Sequence, residues 1–221
     1  MFKKSNKQNQ EQEEVPQLDP IAKNNFKTIR ARIVLNEGSR LPEYAHLDNN
    51  SLLPMDGGMD LIAKSITYNV KDDYYVCETG LNIESPQGTM LLITPRSSNR
   101  KTDFYIPNSP CIIDYGYAGD VSVCFKNRTS MKTILFQRMM TKFFELAGTS
   151  LEKSVKDKIL AKYNPSNLSD EEITEIAMSL IPFKPGDKIA QCFINPYPFV
   201  EWEVVDSIPD LRGGGFGSTG N

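Results

Sequence analysis

The sequence has few of the residues that build metal centres or disulfide frameworks. It contains four cysteines and a single histidine, His46, in 221 residues. The cysteines are scattered without the paired spacing of a zinc site, at Cys77, Cys111, Cys124 and Cys192. This pattern disfavours zinc and predicts a reduced, intracellular chain.

Long apolar runs and a strong excess of positive charge are also missing. No stretch reaches the ~18 apolar residues that a membrane span needs, and the N-terminus lacks the apolar centre of a signal peptide. The formal net charge is −3, which disfavours a nucleic-acid scaffold. A nucleotide needs only a few local cations and backbone N–H groups, so composition leaves that ligand open. We expect a cytoplasmic protein with no membrane or nucleic-acid partner.

The two ends of the chain differ in composition from its middle. Residues 1–25 are polar and charged and predict a disordered extension. Residues 211–221 are rich in glycine and hold one aromatic side chain. Such a segment cannot bury enough surface to fold alone, so we expect a mobile arm that is disordered or orders over another surface. The folded domain should span residues 26–210.

Short runs of β-forming residues dominate the first half of this domain. Turn residues at Asp72-Asp73, Thr79-Gly80 and 85–88 separate these runs. Many short strands at close spacing indicate an antiparallel barrel or jelly roll. Near the end of the domain, Trp202 and Val204 are expected to close the core.

Residues 128–182 interrupt the β pattern with helical periodicity. Helices are predicted over 130–147, 150–163 and 173–180. A capping box at Ser169-Asp170-Glu171-Glu172 precedes the third. The segment is interpreted as a helical insertion, which either forms a cap with its own small core or offers a surface for a partner protein or for contacts between subunits.

The stretch from Asn108 to Asn127 organises the candidate site. A short apolar run precedes turn residues, and an alternating run follows, which predicts a β-hairpin. Asp114 would lie at its tip with Tyr117 close by. Taken alone, Asp114 is better explained as a residue that initiates a turn.

This stretch resembles the third motif of the trimeric dUTPases, which hydrolyse dUTP to dUMP and pyrophosphate. The motif positions hold Asn108, Asp114, Tyr117, Gly119 and Asn127 without a gap. Four more stretches resemble the other family motifs in the family's order: Gly57-Gly58-Met59-Asp60-Leu61, Pro95-Arg96-Ser97-Ser98, 186–191 and 214–220. The resemblance implies the family's mainly β fold and its C-terminal arm, with the helical insertion as this chain's main departure.

The resemblance implies a role for each matching residue. Asp114 would activate the attacking water, Tyr117 would pack on the sugar and exclude a ribose, and Asn108 would help to read uracil. Phosphate contacts would come from Arg96, Ser97, Ser98 and Gln191. From the arm, Phe216 would stack on the base, while the γ-phosphate would be reached by Arg212, Gly217, Ser218 and Thr219.

The arm departs from the family pattern at one position. The family's arginine lies five residues before the phenylalanine, whereas Arg212 lies four before Phe216. This shortening makes the role of Arg212 less secure than that of Phe216. A second departure is Cys111, which stands where the family often has glycine.

The family also implies Mg²⁺ as cofactor, held by Asp60 through water, and a homotrimer whose sites are shared between subunits. Two alternatives stay open at this point. One is a regulatory or binding protein that acts through the 128–182 insertion. The other is a dCTP deaminase-like enzyme, which is disfavoured because the position of its catalytic glutamate holds Cys124.

Overall fold

The computed structural model describes residues 28–49 and 53–209, which form two antiparallel β-sheets and three α-helices. The predicted N-terminal extension and the predicted C-terminal arm lie outside the described residues. Within the described part of the chain, no helix is both long and apolar enough to span a bilayer.

The first sheet has five strands in the described residues: β1 (Arg32–Leu35), β3 (Ser65–Asn69), β4 (Tyr74–Glu84), β6 (Phe104–Tyr105) and β8 (Asp120–Asn127). Its order is β1-β4-β8-β6, and β3 also pairs with β4. The second sheet, in the order β2-β9-β5-β7, has four: β2 (Met59–Ile62), β5 (Thr89–Pro95), β7 (Cys111–Ile113) and β9 (Lys188–Pro196).

Alternation along the strands places one apolar face of each sheet in a common core. Val121, Val123 and Phe125 of β8 are all buried, while the residues between them are less so. They belong to one apolar cluster with residues of the second sheet, including Leu91 and Ile189. The prediction of a mainly antiparallel β fold is therefore confirmed.

Strand β4 runs through Thr79-Gly80, where the sequence predicted a turn. Gly80 has a φ of +68°, and a Cβ there would lie 2.6 Å from Cδ of Lys64. This irregularity in the backbone lies between the part of β4 that pairs with β3 and the part that pairs with β1. At the same place, between Glu78 and Asn82, the register of β4 against β8 shifts. The glycine thus marks a bulge within a strand, not its end.

The helical insertion is confirmed as α1 (Met131–Ala147), α2 (Lys153–Ala161) and α3 (Asp170–Met178). The second helix is shorter than predicted, since it begins after Glu152. The capping box before α3 is present, with Ser169 and Glu172 bonded reciprocally. The insertion is fixed to the sheet where Asp73 accepts the Met131 N–H at 3.0 Å, and where Tyr75 Oη donates to the Ala177 carbonyl at 2.9 Å.

Two predictions about the β-structure are wrong. Strands β7 and β8 do not pair with each other, because β7 belongs to the second sheet and β8 to the first. The predicted hairpin is thus a crossover between sheets. Trp202 and Val204 do not close the core, since their exposed fractions are 88% and 96%. They follow β9 in an extended segment without strand partners among the described residues.

Candidate active site

The crossover between the two sheets is a tight turn that carries the candidate base. Tyr117 donates its backbone N–H to the Asp114 carbonyl at 3.2 Å, and Gly116 adopts a φ of +87°. A left-handed φ at this position suits glycine, which has no Cβ penalty there. The turn leaves the Asp114 side chain exposed.

The spacing of Tyr117 and Gly119 has a steric cause. The Tyr117 ring lies over Gly119, where an added Cβ would be 2.4 Å from Oη and 2.6 Å from Cζ. The phenol also donates to the Asp120 carbonyl at 3.2 Å. Gly119 therefore makes room for the ring, and the hydrogen bond fixes its orientation.

Asp114 and Tyr117 line one open cleft of about 350 Å³. The cleft is completed by Ile112, Ile113, Asp120 and Ser122. Asn108, three residues before the start of β7, is exposed. Burial raises the pKa of the Cys111 thiol, and a hydrogen bond from Asn108 opposes this rise. The structure thus brings Asp114 and Tyr117 together, with Asn108 at the other end of the short strand β7.

A second cluster lies at the end of β5 and centres on a buried carboxylate. Asp60 is 1% exposed. Its carboxylate accepts from Arg96 Nε at 2.7 Å and from Lys188 Nζ at 3.1 Å. Arg96 also donates to Ser98 Oγ at 3.3 Å and to the Lys188 carbonyl at 3.3 Å. A buried carboxylate is stable when it is paired in this way.

Lys188 connects this cluster to the chain segment before β2. Its Nζ lies 3.0 Å from Glu43, whose backbone pairs with that of Asp60. The hydrogen bonds to Glu43 and Asp60 raise the pKa of Lys188. Sequence reasoning assigned no role to Lys188 or Glu43, although a buried aspartate in a β-strand requires cationic partners.

The predicted phosphate contacts lie around the same strand end. Ser97 and Ser98 are exposed at the start of a short 3-10 helix, Ser97–Lys101. Gln191 is half-buried on β9, opposite Asp60 of β2 and Thr94 of β5. We refer to Asp60, Arg96, Ser97, Ser98 and Gln191 as the strand-end cluster.

The strand-end cluster and Asp114 lie at opposite ends of β5. Leu91 pairs with Ile113, so Asp114 lies opposite Met90, whereas Ser97 lies two residues beyond Pro95, the last residue of the strand. Seven residues of extended chain span about 23 Å at ~3.3 Å each. Within one chain, the candidate base and the candidate phosphate contacts therefore do not face the same reacting atoms.

Asp60 does not have the surroundings of a direct metal ligand, and the predicted contact through water stays a prediction. Both of its oxygens have cationic partners, and two positive charges at this distance repel a divalent cation. Among the described residues, no group of three or more His, Cys, Asp or Glu side chains could hold a metal ion. The arm residues Arg212, Phe216, Gly217, Ser218 and Thr219 lie outside the described part of the chain.

Known proteins that resemble this chain share one description. The dUTPase family model matches residues 46–138. The deoxyuridine 5'-triphosphate nucleotidohydrolase of Alkaliphilus metalliredigens is 34% identical over 146 residues, which cover 64% of this chain and 88% of that protein. The protein of the same name from Clostridium tetani is 29% identical and covers 87% and 97%.

Solved structures share the fold. The dUTPase of Staphylococcus bacteriophage 80alpha with dUPNHPP matches 87% of this chain and 99% of its own, with a TM-score of 0.51 and 19% identity. A mutant of that enzyme matches with a TM-score of 0.52 and 19% identity.

Proposed function

Since the chain belongs to the dUTPase family, we propose that it hydrolyses dUTP to dUMP and pyrophosphate. One observation of the site carries this proposal: the crossover turn presents Asp114 and the fixed ring of Tyr117 in the same open cleft. Limiting dUTP keeps uracil out of DNA, and the product dUMP supplies dTMP synthesis.

Asp114 orients and deprotonates the water that attacks the α-phosphate. Its side chain is exposed at the cleft, where a water and a phosphate can both approach it. A positioned general base typically accelerates such a step by about 10²–10⁴-fold. The nucleophile must also be in line with the leaving pyrophosphate, which requires a fixed substrate.

Tyr117 and Asn108 select the nucleoside. The Tyr117 ring packs on the deoxyribose and leaves no space for a ribose 2′-hydroxyl. Asn108 and backbone groups of the crossover pair with the uracil edge. Cytosine would leave these polar groups unpaired, and unpaired buried groups discriminate strongly.

The strand-end cluster binds the triphosphate. The hydroxyls of Ser97 and Ser98 are exposed donors for phosphoryl oxygens, and Gln191 adds an amide. Arg96 contributes a positive charge, and its guanidinium group is oriented by the hydrogen bond to Asp60. Guanidinium and hydroxyl groups are suitable partners for phosphate.

The active site is shared between copies of a homotrimer. One chain separates Asp114 from Ser97 by about 23 Å along β5, so each site combines the two from different copies. The chain also exposes an apolar segment after β9, with Phe199 87%, Trp202 88% and Ile208 85% exposed. Large apolar side chains exposed so closely together, although Glu201, Glu203 and Asp206 lie between them, indicate a surface that packs on another chain.

The C-terminal arm closes the site over bound substrate. Phe216 stacks on uracil, and Arg212, Gly217, Ser218 and Thr219 reach the γ-phosphate. The glycines allow the backbone to approach phosphate closely.

Mg²⁺ would be held mainly by the triphosphate oxygens, which it prefers as ligands, and would offset their negative charge. This differs from a site built on Asp60, because that carboxylate already has two cationic partners. Asp60 acts instead as the anchor for Arg96.

The helical insertion is a candidate for a second, binding function. Helix α1 exposes Phe136, Phe143 and Phe144, at 53%, 47% and 67%. We propose that this aromatic face contacts a partner protein. Replacement of the three phenylalanines by serine should abolish capture of that partner on immobilised protein; equal recovery by the variant would remove the proposal.

Pyrophosphate release from a panel of nucleotides tests the proposed activity. Purified full-length protein with Mg²⁺ should act on dUTP and much more slowly on UTP, dCTP and dTTP. Ammonia release from dCTP would favour the deaminase alternative, although Cys124 is a half-buried thiol and not a carboxylate. The absence of turnover on dUTP would overturn the proposal.

A further inference from the structure

The crossover turn is attached to the first sheet by a side chain from a different strand. Asn82 lies on β4 and is half-buried, and its pairing partner on β8 is Asp120. Its side-chain amide donates to the Ala118 carbonyl at 3.1 Å. Ala118 stands between Tyr117 and Gly119, which are the two residues that pack on each other.

A second amide supports Asn82 from behind. Asn36, just after β1, donates from Nδ2 to Asn82 Oδ1 at 3.4 Å and to Asp120 Oδ1 at 3.4 Å. The backbone N–H of Asn36 is itself bonded to the Gly80 carbonyl at 3.0 Å. The orientation of the Asn82 amide is therefore set by groups outside the turn.

The hydrogen bonds of the turn described above are local. The Tyr117 N–H bonds to Asp114, and the Tyr117 phenol bonds to Asp120, so both could move as one unit with the turn. The bond from Asn82 crosses 36 positions of sequence and joins the turn to the middle of the sheet. It restricts the turn in a way that the local bonds cannot.

We infer that Asn82 is a positioning residue that holds the crossover turn in its substrate-ready conformation. Asn82 holds the Ala118 carbonyl in place. Through the backbone of the turn, this contact also positions Tyr117 and Asp114, which lie on either side of Gly116. The effect on catalysis rests on the proposed function of this turn. Groups held in place before substrate binds do not have to be ordered during the reaction, which raises the rate.

Asn82→Leu tests the donor directly, because leucine has nearly the shape of asparagine, suits a β-strand and cannot donate. Glu84→Gln is the matched control, since Glu84 lies two positions along the same strand and bonds to Arg32 instead of the turn. Hydrogen exchange of the Tyr117 amide, followed by mass spectrometry at millisecond labelling times, should be about fivefold faster in Asn82→Leu. It should be unchanged in Glu84→Gln. Unchanged exchange in Asn82→Leu, or equal acceleration in both variants, would overturn the inference.

Kinetics then test the consequence for the reaction. For Asn82→Leu, kcat for dUTP should fall about tenfold and the preference for dUTP over UTP should decrease, because Tyr117 is no longer fixed. Faster exchange with wild-type kcat and preference would overturn the positioning role in catalysis. If the wild-type protein does not hydrolyse dUTP, the proposed function fails while the exchange result still decides whether Asn82 holds the turn.

Asn36→Ala provides a second variant that leaves β4 intact. It removes the support of the Asn82 amide but not the amide itself. The same changes in exchange and kinetics should occur with a smaller amplitude. A larger effect than that of Asn82→Leu would contradict the order of contacts proposed here.

Discussion

Gly119→Ala is the smallest change that should disturb the proposed nucleoside site. The new Cβ would lie 2.4 Å from the Tyr117 Oη and 2.6 Å from its Cζ. Atoms cannot approach this closely, so either the backbone or the ring must move. Since 47% of Tyr117 is exposed, the ring can turn toward solvent and is the more mobile of the two.

The loss of stability should be modest and the loss of activity larger. A displaced ring breaks the bond from the phenol to the Asp120 carbonyl, which contributes about 1 kcal/mol. Overpacking strain of up to about 3 kcal/mol is avoided only if the ring leaves. The departure removes the proposed sugar contact, and a contact worth about 1.4 kcal/mol in the transition state corresponds to about tenfold in kcat/KM.

Steady-state pyrophosphate release from dUTP and UTP, with urea unfolding alongside, measures both effects. We expect kcat/KM for dUTP to fall at least about tenfold, with a smaller loss for UTP. Gly148→Ala is the control, because no atom lies within 4 Å of a Cβ at Gly148, which has a φ of −79°. Wild-type kinetics in Gly119→Ala would refute the steric role of this glycine.

Three further predictions follow from the strand-end cluster, the thiols and the arm. Asp60→Ala leaves the partly buried Arg96 and Lys188 without their shared carboxylate and should lower the unfolding free energy by about 2–4 kcal/mol; a change below about 1 kcal/mol in urea unfolding would contradict this. Burial raises the pKa of the Cys77 and Cys192 thiols to about 12, so at pH 8 about one thiol in 10⁴ is ionised. Both thiols should therefore resist iodoacetamide until denaturant is added, and rapid labelling of the native protein would contradict their burial. Deletion of 211–221 should leave the thermal midpoint unchanged while kcat for dUTP falls at least about tenfold; an unchanged rate would exclude the closing arm.

The sequence predicted the parts of the fold that depend on local pattern. Alternation of apolar residues located β8, and Ser169 with Glu172 located the start of α3. Both signals arise from neighbouring residues and need no knowledge of the rest of the chain. The motif spacing around Asp114 and Tyr117 also predicted two residues that the structure brings into one cleft.

Predictions that depended on distant partners were wrong. Strands β7 and β8 flank a turn signal, but each pairs with strands far away in the sequence. Thr79-Gly80 is a pair of residues typical of a turn, yet it lies inside β4. The strand continues through it because β3 pairs with β4 on one side of Gly80 and β1 pairs with β4 on the other. Trp202 is apolar and was assigned to the core, although within this chain it remains exposed.

The site itself was only partly predictable, for the same reason. The motif resemblance singled out Asp60, but not that Arg96 and Lys188 would both pair with it. Nothing in the local pattern of β4 indicates that Asn82 donates to the crossover turn, since the contact depends on strand register. The distance between Asp114 and Ser97 likewise follows only from the pairing of β5 with β7.

Complementation between two inactive variants tests the central claim, a dUTP-hydrolysing site built from more than one copy. Asp114→Asn removes the base, and Ser97→Asp places a negative charge where phosphate should bind; each variant alone should be inactive. A site needs an intact Asp114 from one chain and an intact Ser97 from another. Random assembly on equal co-expression therefore restores about a quarter of all sites, so about a quarter of the wild-type rate of pyrophosphate release should return. If the mixed trimers stay as inactive as either variant, the two clusters do not serve one shared site and the account is contradicted.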